Sequence, residues 1–122
     1  MAEILAVDDS RAILSLITHI LQNAGHTVHA YPSGTEALEF ARSQAVDLVL
    51  SDVNMPGMTG ISLVSKLRRL PNYETTPVLM ITTETADYKK QKSKSMGANG
   101  WVQKPFTEET LLAATDKMLT KS

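Results

Sequence analysis

Val46-Asp47-Leu48-Val49-Leu50-Ser51-Asp52 leads directly into Val53-Asn54-Met55-Pro56-Gly57. Four apolar residues in the first stretch predict a buried strand. It stops on a carboxylate and runs straight into turn residues. In a parallel α/β sheet, ligands bind where strands end, at their carboxyl edge. An acid at that edge stands where chemistry can use it. A strand-end aspartate can also do no more than turn the chain, and for Asp52 taken alone that is the commoner case. Its neighbours at the same edge decide between the two.

Upstream, Glu3 to Val7 is a short apolar strand ending in Asp8-Asp9, and Ser10 can cap the helix after it. Ile13, Leu16, Ile17, Ile20, Leu21 and Ala24 recur at helical spacing, and Gly25 ends that helix. His26 to Tyr31 is a second, more polar strand, broken by Pro32. Ser33-Gly34-Thr35-Glu36 reads as a capping box, each side chain satisfying the other's backbone donor. The helix it starts carries Ala37, Leu38, Phe40 and Ala41.

Downstream of the Pro56-Gly57 turn, Ile61, Leu63, Val64, Leu67 and Leu70 predict a helix that Pro71 stops. Pro77 to Thr82 is strand four, continuously apolar like a strand buried on both faces. Residues 86–96 read as a weakly amphipathic helix, richer in lysine than in apolar anchors. Trp101-Val102-Gln103 is a short fifth strand ending at Lys104-Pro105. Thr107 caps a last helix, whose Leu111, Ala114, Met118 and Leu119 are expected to face inward. Glu108 and Glu109 in its first turn suit the helix dipole. Strand and helix thus alternate five times with short connections, which predicts a parallel sheet covered by helices on both faces.

Length and composition bound the answer. The 122 residues suffice for one domain spanning 1–122, and the apolar and charged fractions are ordinary. No apolar run approaches a membrane span, and the N-terminus does not read as a signal peptide. The absence of cysteine excludes disulfides, thiolate catalysis and Cys-ligated zinc, and a cytoplasmic setting is expected. The net charge of −1 hides an asymmetry: residues 1–60 carry seven acids and two bases, residues 85–122 seven lysines and four acids. The basic part is too sparse to argue for nucleic acid.

Four of the five predicted strands end on a polar group: Asp8-Asp9, Asp52, Thr82 and Lys104. Parallel strands put these ends on one edge. Three carboxylates packed together repel, and each raises the pKa of its neighbours. A hard divalent cation removes that cost, and Mg²⁺ prefers such oxygen ligands. Zinc would want imidazole or thiolate. His19, His26 and His29 lie elsewhere and read as surface or strand residues. A lysine at the same edge can pair with a carboxylate or a phosphoryl group. Acids, metal, lysine and hydroxyl together suit a phosphoryl group, for which aspartate is a known covalent acceptor.

Over its whole length the sequence resembles the CheY-like receiver domains, the phosphoacceptor modules of two-component response regulators. The residues that carry the resemblance are Asp8-Asp9, Asp52, Met55-Pro56-Gly57-Met58-Thr59-Gly60, Thr82 and Lys104-Pro105-Phe106. It implies a five-stranded parallel sheet of order 2-1-3-4-5, the order known for flavodoxin and CheY, flanked by five helices. It implies roles as well. Asp52 matches the phosphoacceptor. Asp8 and Asp9 match the acidic pair that binds Mg²⁺, with Asp52 and the backbone carbonyl of Asn54 completing the metal set. Lys104 matches the lysine on the phosphoryl oxygens, with a cis peptide to Pro105. Thr82 matches the hydroxyl that moves towards the phosphoryl group, and Trp101 the switch aromatic.

The partners so implied are a sensor histidine kinase, of chemotaxis type, and a downstream protein. The latter would dock on the face of the helix at 86–96, the fifth strand and the last helix. Asn54 with Glu84 resembles the pair seen in chemotaxis regulators. The flagellar motor switch is one possible target; a phosphate-sink role without its own output is an alternative. The chain is expected to be a monomer with no membrane partner, and no enzyme beyond its own phosphorylation and dephosphorylation. Two other classes compete. A Mg²⁺-dependent phosphatase normally carries a cap over the site, for which this chain has no room. A flavodoxin-like FMN binder needs a Ser/Thr/Gly phosphate loop, and Asp8-Asp9-Ser10-Arg11 would repel phosphate without a metal. Three features depart from the commonest pattern: Trp101 where Tyr, Phe or His is usual, Thr83 where a smaller residue is common, and few apolar anchors in 86–96.

Overall fold

In a computed structural model, which describes residues 1–83 and 97–120, the strands form one parallel sheet of order β2-β1-β3-β4-β5. The strands are β1 (Glu3–Val7), β2 (Thr27–Tyr31), β3 (Leu48–Asp52), β4 (Val78–Thr82) and β5 (Gly100–Gln103). The helices are α1 (Arg11–Asn23), α2 (Gly34–Ser43), α3 (Gly60–Leu67) and α4 (Glu108–Thr120). A 3-10 turn at Pro71–Tyr73 follows α3. The described residues thus hold four α-helices where the sequence predicts five. The remaining one, expected over 86–96, lies outside them, as does Glu84.

Alternating side chains split the core between the two faces of the sheet. Leu5, Val7, Val49 and Met80 point to one face and pack with Ala37, Leu63, Val64 and Leu67 of α2 and α3. Ile4, Leu48, Leu50 and Ile81 point to the other and pack with Ile17, Leu21, Leu111 and Met118 of α1 and α4. Burying one such side chain is worth about 1.5–3 kcal/mol. β3 and β4, two of the three interior strands, are buried at every position, which is why β4 reads as an unbroken apolar run.

The helix starts follow the expected chemistry with one difference. Ser10, Ser33 and Thr59 cap α1, α2 and α3 by accepting from the backbone N–H three residues on. In α2, however, the Glu36 carboxylate accepts from the Ser33 hydroxyl at 3.4 Å rather than reaching the Ser33 backbone. The inward stripe of α4 also differs from the expectation. Leu111, Thr115 and Met118 are buried, while Ala114 and Leu119 are only partly so. A threonine inside an apolar stripe hides from a hydropathy reading.

Candidate functional site

Parallel register carries the polar strand ends to one edge. Val7 pairs with both Tyr31 and Ser51, Asp52 with Ile81, and Thr82 with Gln103. Asp8 therefore emerges beside Asp52, and Lys104 one residue beyond the β4–β5 pairing. The Lys104 backbone N–H donates to the Thr82 carbonyl at 2.7 Å, which places the lysine stem next to the end of β4. The Lys104–Pro105 peptide is cis.

Asp8 is fully buried and doubly engaged. One oxygen, Oδ1, accepts from the Ser10 backbone N–H at 2.9 Å, and Oδ2 accepts from Lys104 Nζ at 2.8 Å. The same ammonium lies 3.4 Å from Asp52 Oδ1. Asp9 is exposed at the rim, yet an oxygen from each of Asp8, Asp9 and Asp52 lies within 4.8 Å of the others. Hard oxygen donors at that separation, without sulfur or imidazole among them, suit Mg²⁺.

The charges in this cluster do not balance. Among the described residues, three carboxylates face one ammonium. The Asp52 carboxyl is raised from 3.8 to about 6: burial contributes most, Asp8 and, more weakly, Asp9 add to it, and the charge and hydrogen bond of Lys104 oppose them. Burial alone would lower Lys104, but the hydrogen bond and charge of Asp8, then those of Asp52, outweigh it and hold the ammonium above its ordinary value. The site is thus short of positive charge, and a divalent cation would supply what is missing.

Of the residues singled out from sequence, Asp8, Asp9, Asp52 and Lys104 come together. Thr82 is buried at the adjoining strand end, and its neighbour Thr83 is exposed. Asn54 is exposed on the loop two residues beyond Asp52. Trp101 is not part of the cluster: it lies half-buried against the core on the α2–α3 face. The three histidines stand apart. His26 Nδ1 accepts from the Ala2 N–H, and His29 Nε2 is 2.6 Å from Glu3 and stacked on Phe40.

Two supports of the site are not apparent from the sequence. Ser10, recognisable there only as a cap, also holds Asp8 through its backbone. Gly60 lies so close to the end of β3 that a Cβ there would sit 2.0 Å from the Asp52 carbonyl oxygen. Its N–H donates to the Val53 carbonyl at 2.8 Å. Only glycine permits that approach, and Thr59-Gly60 after the turn is the one signal of it in the sequence.

The profile of the response regulator receiver domain matches residues 4–116. The chain belongs to the receiver domain family. This receiver domain is 36% identical over 120 residues to the chemotaxis protein CheY of Pseudomonas aeruginosa, covering 98% of this chain and 97% of that one. It is 34% identical to the regulatory protein VanRc of Enterococcus gallinarum, of which it spans half the length. The solved structure of the chemotaxis protein CheY4 of Vibrio cholerae superposes with a TM-score of 0.95 at 48% identity, covering 98% of this chain and 99% of that one. The fold and the sheet order are those of a CheY-like response regulator.

Proposed function

We propose that this receiver domain takes a phosphoryl group from a histidine kinase onto Asp52, with Mg²⁺ held by Asp8, Asp9, Asp52 and the Asn54 carbonyl. The carrying observation is the cluster of three carboxylates within 4.8 Å, joined by one ammonium that touches both Asp8 and Asp52. Bound Mg²⁺ would offset the negative charge that gathers on the phosphoryl oxygens during transfer.

The chain's own groups do the rest. The ionised Asp52 carboxylate attacks phosphorus. The bond from phosphorus to the donor breaks, and its electron pair leaves with the donor. Lys104 faces the oxygens that carry the developing charge. Burial of Asp8 and the Ser10 N–H keep the cluster fixed beforehand, so little reorganisation is needed. The Thr82 hydroxyl, at the end of β4, is the group that would follow the new charge.

The output is binding of a downstream protein through β5, α4 and residues 86–96, and the setting is chemotaxis. Similarity to two chemotaxis proteins supports that setting. The likeness to VanRc means that the domain alone does not name a pathway. The domain is a regulator, and a phosphomonoester is not turned over.

Intact mass spectrometry after incubation with acetyl phosphate tests the acceptor. One phosphoryl group is expected with Mg²⁺ and none after chelation, and Asp52→Asn is expected to accept nothing. Undiminished labelling of Asp52→Asn would put the acceptor elsewhere.

A further inference from the structure

At the opposite edge of the sheet one side chain joins three separate segments. Arg68 caps the C-terminus of α3. Its Nη1 donates to the carbonyls of Tyr73 at 2.7 Å and Thr76 at 2.6 Å. Its Nη2 donates to the Gly97 carbonyl at 2.7 Å and to Asn99 Oδ1 at 3.0 Å. All four partners are neutral oxygens. The guanidinium is therefore held by geometry, through the planar fork that lysine lacks.

The joint is built from the other side as well. Asn99 Oδ1 accepts a second hydrogen bond, from the Val78 N–H at 2.9 Å, and the Asn99 N–H donates to the Val78 carbonyl at 2.8 Å. Asn99 thus clips the first residue of β4 to the residue before β5, and Arg68 ties that clip to α3. Gly97 leaves room for it. Its φ is +105°, and a Cβ there would meet Arg68 Nε at 3.0 Å.

The clipped strands carry Thr82 and Trp101. Met80 pairs with Trp101, and Thr82 lies two residues further along β4. With their starts fixed, a movement at the Thr82 end cannot be absorbed by β5 sliding along β4.

We propose that Arg68 is a positioning residue for output: by clipping the start of β5 to β4 and α3, it makes Trp101 answer to events at Asp52. The claim about Trp101 rests on the function proposed above; the clip itself does not.

Two variants test this, Arg68→Met, which keeps the apolar stem, and Arg68→Lys, which keeps the charge but not the fork. Amide hydrogen exchange is read in the resting protein. The β5 amides are expected to exchange roughly tenfold faster or more in both variants, with β1 amides unchanged. Phosphorylation of Asp52 by acetyl phosphate is expected to stay within about twofold of wild type, since Arg68 is remote from the cluster. The change in Trp101 emission on adding fluoroberyllate with Mg²⁺ is expected to fall by half or more. Exchange that rises equally in β1 and β5 would reduce Arg68 to a general stabiliser and overturn the proposal. So would a wild-type Trp101 response in a variant with a loosened β5. Failure of the wild-type protein to be phosphorylated would sink the proposed function instead. Should both variants fail to fold, Arg68→Gln, whose shorter side chain keeps two N–H donors without the charge or the fork, carries the same exchange test.

Discussion

Asp52→Asn should make the metal-free protein more stable, although it removes the residue at the centre of the site. In the folded chain this carboxyl is raised from 3.8 to about 6, chiefly by burial and then by Asp8. Because the folded value is the higher one, protonation of Asp52 favours folding. That contribution is complete below pH 3.8 and is lost as pH rises through 6. At pH 7 the folded state holds an ion it disfavours, at a cost of about 3 kcal/mol. The Lys104 attraction is already contained in that figure. Asparagine keeps the shape, removes the charge, and weakens the contact at Lys104, so a net gain of roughly 1–3 kcal/mol is expected. For a chain of this size that corresponds to about 3–10 °C in Tm.

The assay is urea unfolding at pH 5 and pH 7, with EDTA and with Mg²⁺. Wild type without metal should be less stable at pH 7 than other carboxylates would dictate, and Mg²⁺ should restore it. Asp52→Asn should start higher and gain less from Mg²⁺. If Asp52→Asn is less stable than wild type in EDTA at pH 7, the charge argument for this cluster is wrong.

Single groups elsewhere give three more expectations. Lys104→Met leaves Asp8 buried without its cation and should cost roughly 2–4 kcal/mol in EDTA, a loss that added Mg²⁺ should largely repair in the same unfolding assay. Tyr73 is fully buried, donates to the Gln44 carbonyl at 2.6 Å and is pushed up from 10.0 to about 12, so stability should fall by about 3 kcal/mol between those pH values. A Tyr73→Phe protein with the same alkaline loss would rule this out. Thr115 Oγ1 is buried without a hydrogen-bond partner among the described residues, so Thr115→Val should raise stability by roughly 1 kcal/mol in urea titration; a loss would mean that the hydroxyl is satisfied in solution.

Features with a period, or at the end of a strand, were legible in the sequence. β3 and β4 are buried on both faces, so β4 reads as an unbroken apolar run and β3 as an apolar run that stops on Asp52. Asp52 ends a strand, Asp8 and Lys104 come directly after strands, and parallel pairing brings them together. Groups that act through the backbone were not legible. Gly60 matters because a carbonyl lies where its Cβ would be, and Arg68 because four oxygens from distant segments converge on it. Neither leaves a mark in hydropathy, since Arg68-Arg69 looks like any charged helix end. Thr115 fails for the opposite reason: its polarity suggests exposure, and its place in the stripe buries it.

The two edges of the sheet therefore carry opposite kinds of polar group. At the carboxyl edge, charge is concentrated beyond what the local cation neutralises, and the folded state is strained by it. At the amino edge, among the described residues, Arg68 meets only neutral oxygens and Tyr73 a single carbonyl; burial lowers Arg68 from its ordinary value and pushes Tyr73 up to about 12. A site that must change its charge state needs the first arrangement, because only an unsatisfied cluster responds strongly to a metal or a phosphoryl group. A sheet that must convert that response into movement needs the second, because strands free at both ends would dissipate it. Removing charge from the first edge should stabilise the domain and silence it; loosening the second should leave its chemistry intact and disconnect it from Trp101.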